Sequence, residues 1–155
     1  MTDPAVPSAM SPGEVAGRFL EAVISSSPDD LADLYASRVV IEMPFGPPLL
    51  PARMETGRDE WRARFRAGSA SRRYDRVEHA RIHQTADPQV VIEYDLHGEV
   101  LEPERRPFVM SYVMVMTIRD GLIVHSRDYV DPVAGARLLG RLPELVAALT
   151  ESATP

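Results

Sequence analysis

Apolar residues near the start of the chain recur at helical spacing. Val15, Phe19, Val23 and Ile24 share one face. Ser11-Pro12-Gly13-Glu14 precedes them as a start signal, with Ser11 as cap, Pro12 at the first helical position and Glu14 closing a capping box. The spacing predicts a helix from Ser11 to about Ser25. Ser27-Pro28-Asp29-Asp30 repeats the signal and opens a short second helix with Leu31, Leu34 and Tyr35 apolar. Arg38 to Met43 (RVVIEM) reads as a strand. Residues 44–57, PFGPPLLPARMETG, hold four Pro and two Gly and read as a long irregular loop, often a binding or lid element. A third helix is expected from Arg58 to about Gly68, with Trp61 and Phe65 four residues apart on one face.

From Tyr74 the pattern turns to strands, expected near 74–83, 89–99, 107–119 and 122–130. Ala86-Asp87-Pro88 marks one turn, Arg119-Asp120-Gly121 a hairpin, and LEPERRP (101–107) a polar hairpin loop. Asp131-Pro132 starts a last helix with Leu138, Leu139 and Leu142, and Pro143 restarts it through Leu149. Helices followed by a run of antiparallel strands and a closing helix define an α+β domain. Strongly curved, such a sheet wraps around the N-terminal helices and forms a cone-shaped pocket. Residues 1–10 are expected to be a flexible tail and 11–150 the cone domain.

The 155 residues suit one domain. Composition changes the picture by what it lacks. There is no Cys, and all 17 basic residues are Arg. Thiolate nucleophiles, Cys-ligated metals, Schiff-base lysines and a P-loop lysine are excluded. Proton transfer falls to the 23 Asp and Glu, four His and five Tyr, because guanidiniums stay protonated. The net charge of -6 disfavours nucleic acid as a partner. No apolar run approaches membrane-span length, and MTDPAVPSAM has neither the basic nor the apolar region of a signal peptide. A cytoplasmic protein with no membrane partner is expected.

The stretch RDGLIVHSRDYVDPVAGARLLG carries a D-G turn, a strand, the R-D-Y element Arg127-Asp128-Tyr129 and the helix start Asp131-Pro132. With the element order, it resembles the SnoaL-like branch of the nuclear transport factor 2-like superfamily, from about Pro12 to Leu142. That branch includes ketosteroid isomerase, polyketide cyclases, limonene epoxide hydrolase and the phenazine-biosynthesis A/B proteins. The phenazine proteins resemble it most closely in motif. His83-Gln84-Thr85-Ala86-Asp87-Pro88, Glu93-Tyr94-Asp95 and the ending Arg137-Leu138-Leu139-Gly140 match their Q-T-x-D-P turn, E-C-D strand and L-R-x-L-G. The epoxide hydrolases have an Arg two residues before the carboxylate near Asp95, where this chain has Glu93. Their first-strand Tyr and Asn fall here at about Val40 and Glu42. The resemblance implies a homodimer.

Strand alternation puts Leu122, Val124, Ser126 and Asp128 on one side and Ile123, His125, Arg127 and Tyr129 on the other. With the first set inward, Asp128 is a carboxylate in an apolar pocket, able to trade protons near neutral pH. The resemblance agrees, since Asp128 sits where the branch often carries its acid/base. Asp95 shares a face with Glu93 and His97 and splits its pKa with Asp128 if the two approach. Glu42, between Ile41 and Met43, is either on the outer face or in the pocket, and register with the epoxide hydrolase pattern implies that it points inward. Tyr112, alternating with Met110, Met114 and Met116, is either core or a hydroxyl donor to a developing oxyanion. Trp61, Phe65 and Phe45 are core or wall residues, Val40 and Ser126 line the pocket, and His79 or His83 can assist proton transfer. The His spacing argues against a metal. Arg62, Arg64, Arg66, Arg72 and Arg73 read as a solvated helix face, or as a patch that receives a carboxylate or phosphate at the pocket mouth.

The expected function is cofactor-free acid/base catalysis, with Asp128 as proton carrier and Asp95, Glu42 and Tyr112 assisting. The substrate is a small hydrophobic, carbonyl-bearing natural-product intermediate, and the reaction a cyclisation, isomerisation, dehydration or condensation. The alternatives are a non-catalytic binding or dimerisation module of the same fold, and an epoxide hydrolase with a rearranged set.

Overall fold

A computed structural model describes residues 9–46, 49–86 and 88–152. Most of the expected tail, the Asp87 of the expected turn and Pro47-Pro48 of the long loop lie outside them. The element order is α1 (Pro12–Ala22), α2 (Pro28–Ala32), β1 (Tyr35–Glu42), β2 (Arg53–Gly57), α3 (Arg58–Ser71), β3 (Arg72–Gln84), β4 (Gln89–Val100), β5 (Arg106–Arg119), β6 (Leu122–Val130), α4 (Pro132–Leu138) and α5 (Leu142–Ser152). One difference from the sequence reading matters here. The last five residues of the expected loop are strand β2, paired with β1. The polar pattern of RMETG hid it, because an edge strand with a wet face needs little apolar content.

The strands form one sheet in the order β2-β1-β6-β5-β4-β3. Four junctions are antiparallel, and β1 runs parallel to β6. α3 and four strands separate those two in sequence, and the parallel junction joins the β1–β2 pair to the rest of the sheet. The inner face packs on α1 through Val15, Phe19 and Val23, against Val39, Ile41, Ile92, Tyr94, Met114, Met116 and Ile123. Both halves of the Ser11 capping box form.

Two glycines are dictated by geometry. Asp120 and Gly121 both have positive φ, as a tight β5–β6 hairpin requires. At Gly98 an added Cβ would sit 2.3 Å from the Arg73 carbonyl oxygen and 2.6 Å from the Phe108 ring, so β3 and β5 close over it only because it is bare.

Alternation in β6 is broken once. Thr117 pairs with His125 and Ile118 with Ile123, which leaves Val124 as an extra, bulged residue. Ile123 therefore faces the core, fully buried, on the same side as Ser126. The expected inward set holds for Ser126 and Asp128. For the first half of the strand it is corrected by the bulge.

Candidate functional site

At the end of β6 the chain crosses from sheet to α4, and a pocket of about 210 Å³ opens there. Its sheet wall is Tyr112, Asp128 and Val130. Its helix wall is one turn-spaced face of α4, Pro132, Gly135, Ala136 and Leu139, with Arg141 beyond. Met43, Gly46, Leu49 and Leu50 from the β1–β2 loop complete it. The lining is predominantly apolar, and few of its polar groups are uncommitted. Asp131 is occupied as the α4 cap, accepting from the Val133 and Ala134 N–H groups. Arg141 is paired with Glu144 at 2.7 Å.

Asp128 is the exception. Ser126, fully buried, donates its hydroxyl to Asp128 Oδ1. Burial pushes the Asp128 carboxyl up to about 6, against the opposing pulls of the Ser126 hydrogen bond and of His125. Loss of hydration penalises the carboxylate more than one hydroxyl restores it. A carboxyl with that pKa holds both protonation states in the neutral range.

Tyr112 faces the same pocket. Its ring stacks on Tyr94 with centroids 5.0 Å apart and planes 9° apart. Tyr94 donates its hydroxyl to the Met114 sulfur at 3.6 Å. The Tyr112 hydroxyl has no hydrogen-bond partner among the described residues. Burial, then the neighbouring phenol of Tyr74 and the charge of Asp128, raise the Tyr112 pKa. Tyr35 and Tyr94 are raised too, first by burial. These phenols stay protonated, so each keeps an O–H group able to donate. Met110 is buried beneath α4, and Met114 lies deeper in the core.

Several expected site residues lie elsewhere. Asp95 is on the outer face of β4, because inward positions there are Tyr94 and Leu96. It accepts from Ser111 at 2.5 Å and contacts His79 Nδ1 at 2.7 Å, and these bonds hold its pKa below the usual carboxylate value. It does not meet Asp128. Glu42 and Val40 also point outward, since β1 buries Val39 and Ile41. Glu42 lies against Arg53 and His125 instead. His79 occupies a β3 bulge with φ of 53°, which turns it out to Asp95 and solvent. His83 is likewise outside, beside Glu93.

Trp61 and Phe65 pack with Tyr35 in an aromatic cluster, with centroids 5.1 to 6.1 Å apart; none of the three lines the Asp128 pocket, although the Asp128 charge acts on Tyr35. Phe45 is 65% exposed and rests on Tyr129, so the loop reaches the pocket through Leu49 and Leu50 instead. The α4 wall went unnoticed in the sequence, although Pro132, Gly135, Ala136 and Leu139 recur at helical spacing right after the R-D-Y element. Among the described residues, no three or more His, Asp or Glu are placed to hold a metal, and no helix is long and apolar enough to cross a membrane.

Comparison with known proteins agrees with this architecture. Residues 16–126 match the SnoaL-like domain family. The uncharacterized protein YesE of Bacillus subtilis (strain 168) is 26% identical over 128 residues, 82% of this chain and 86% of YesE. The crystal structure of a candidate isomerase from Bacillus subtilis superposes with a TM-score of 0.72 at 25% identity, covering 83% of this chain and 91% of the other. That of a candidate polyketide cyclase from Pseudomonas putida KT2440 gives 0.69 at 17% identity, covering 84% and 98%. An inward carboxylate at the end of β6, a curved sheet over α1 and a family match across most of the chain converge, and the chain belongs to the SnoaL-like domain family.

Proposed function

We propose that the protein is a cofactor-independent acid/base enzyme of the cyclase or isomerase kind, acting on a small hydrophobic carbonyl compound. One observation carries the reading. The pocket holds a carboxyl, Asp128, with a pKa near 6 and only the Ser126 hydroxyl as partner, on the same wall as a phenol with a free hydroxyl. The carboxylate takes a proton from the carbon next to a substrate carbonyl. Tyr112 donates a hydrogen bond to the oxygen as it gains negative charge. Return of the proton from Asp128 to a different carbon gives an isomer, and attack of the same carbon on a second carbonyl gives a ring. The isomerase and cyclase descriptions of the similar structures are in keeping with such chemistry.

Deuterium uptake by 2-tetralone in D₂O, followed by NMR, tests this without the natural substrate. The wild type should speed exchange at the acidic carbon well above buffer. Asp128→Asn should lower that rate ~10²–10⁴-fold, the usual worth of a general acid/base. Equal rates in the two proteins would favour the non-catalytic binding module instead. The epoxide hydrolase alternative needs a water held between two carboxylates, and Asp95 and Glu42 lie on the opposite face of the sheet. The active form is a homodimer in this reading. The exposed Val109 and Val113 on the outer face of β5 support it, and sedimentation equilibrium would return the monomer mass if it is wrong.

A further inference from the structure

Of the six arginines on α3 and at the start of β3, Arg58 donates to the Tyr35 carbonyl oxygen and four are neutralised. Arg62 meets Asp29, Asp33 and Asp59, Arg64 meets Glu60, Arg66 meets Asp29, and Arg73 meets Asp75 and Glu99. Arg72 differs. Its guanidinium makes no ion pair or hydrogen bond among the described residues, and its Nε is buried without a partner. Its strand position explains why. Arg72 opens β3 opposite Val100, whose side chain is buried on the inner face, while Arg73 beside it turns outward to its carboxylates.

The guanidinium lies in a cleft between the ends of α1 and α3, lined by Val23, Leu31, Phe65, Gly68 and Tyr74. Gly68 makes the room, since a Cβ there would come 2.9 Å from Arg72 Nη2. The cleft volume is about 80 Å³, enough for a small planar group rather than a whole ligand. Ser25, Ser69 and Arg64, the last paired with Glu60, also line the cleft; no carboxylate is part of the lining, and a partly buried cation without a counter-ion is expensive. The cleft and the Asp128 pocket share no lining residue, but Tyr74 of the cleft and Tyr112 of the pocket pack against the same core cluster. The Tyr112 phenol feels both the Asp128 charge and the opposing Arg72 charge.

We infer that Arg72 is a specificity residue that anchors a carboxylate on the substrate, so that the substrate class is a carbonyl compound bearing a carboxylic acid. The planar guanidinium matches a carboxylate in two parallel bonds, and the buried Nε is one of the donors. This rests on the catalytic reading of the Asp128 pocket, but its test does not. Binding is measured here, whereas the exchange assay above uses a neutral ketone.

The probes are naphthalene-2-carboxylate and its neutral isostere naphthalene-2-carboxamide, titrated calorimetrically at neutral pH. The wild type should bind the carboxylate at least about tenfold more tightly, as expected for a charge-assisted pair. Arg72→Gln should reduce that preference to under about twofold with the amide unchanged. Arg73→Gln should keep it. Persistence of the preference in Arg72→Gln, an equal loss in Arg73→Gln, or no preference in the wild type overturns the proposal. If Arg72→Gln does not fold, ¹⁵N-labelled wild type decides. Its Arg72 Nε–H signal, assigned by its loss in Arg72→Lys, must shift with the carboxylate and not with the amide. No shift is equally fatal.

Discussion

Asp128 and Asp95 lie in one sheet, and each accepts a hydrogen bond from a serine hydroxyl, Ser126 and Ser111 respectively. Their acidities move in opposite directions. Asp128 is raised, first by burial. Asp95 is lowered, first by Ser111 and then by His79. The difference is which side of the pleat each side chain leaves from. On the outer face water and a histidine favour the charge. On the inner face apolar walls oppose it, and one hydroxyl cannot compensate. All four histidines contact carboxylates on the outer side: His79 with Asp95, His83 with Glu93, His97 with Glu78, and His125 with Glu42. Four acids of the outer face thus have a histidine beside them, while Asp128 in the pocket has one hydroxyl.

Substitutions that treat the two aspartates alike should break or sharpen this contrast. The largest effect belongs to Asp128→Asn in the tetralone exchange assay, ~10²–10⁴-fold, while Asp95→Asn should stay within about threefold of wild type. A comparable loss in both would erase the distinction between the faces. Next comes Tyr112→Phe. Losing one donor to a developing oxyanion should slow exchange ~10–100-fold, with the ring stack on Tyr94 preserved.

Stability should separate the two as well. The Asp128 pKa in the folded protein, about 6, lies above the ordinary carboxylate value. The folded state therefore favours the protonated form, and the contribution of Asp128 is complete at acid pH and lost as pH rises through 6. Asp128→Asn removes the buried charge and should stabilise the fold at pH 8 by roughly 2 kcal/mol, with little change at pH 4. Asp95 has the opposite sign. Its lowered pKa stabilises above the ordinary carboxylate range and is lost on acidification, so Asp95→Asn should lower the melting temperature at neutral pH and not in acid. The smallest effect is a fine adjustment. Ser126→Ala removes the bond that pulls the Asp128 pKa down, so the pH profile of exchange should shift upward by ~0.5–1 unit.

The strands other than β2, the helix starts and the inward direction of Asp128 were legible because each rests on local order. Ser11 caps what its neighbours dictate, and Asp128 inherits its direction from the strand alternation. Asp95, Glu42 and Val40 were misplaced for a different reason. Their strands carry apolar residues on both faces, as in RVVIEM, so alternation alone does not say which face meets α1. Packing decides that, and packing is nonlocal. The α4 wall and Arg72 were harder still. Pro132, Gly135, Ala136 and Leu139 become a pocket wall only when α4 folds back over β5, and Arg72 stands out only once the other arginines have found their acids.

The bulge at Val124 separates two properties of β6 that a regular strand would tie together. Without Val124 the strand would alternate unbroken from Ile123 to Asp128, and both would still face inward. The extra residue adds local bend to the hairpin and leaves the aim of the carboxylate alone. The curvature of the cone and the direction of its acid are therefore separately adjustable. Deletion of Val124 would change the bend of the β5–β6 hairpin without rotating Asp128 out of its pocket.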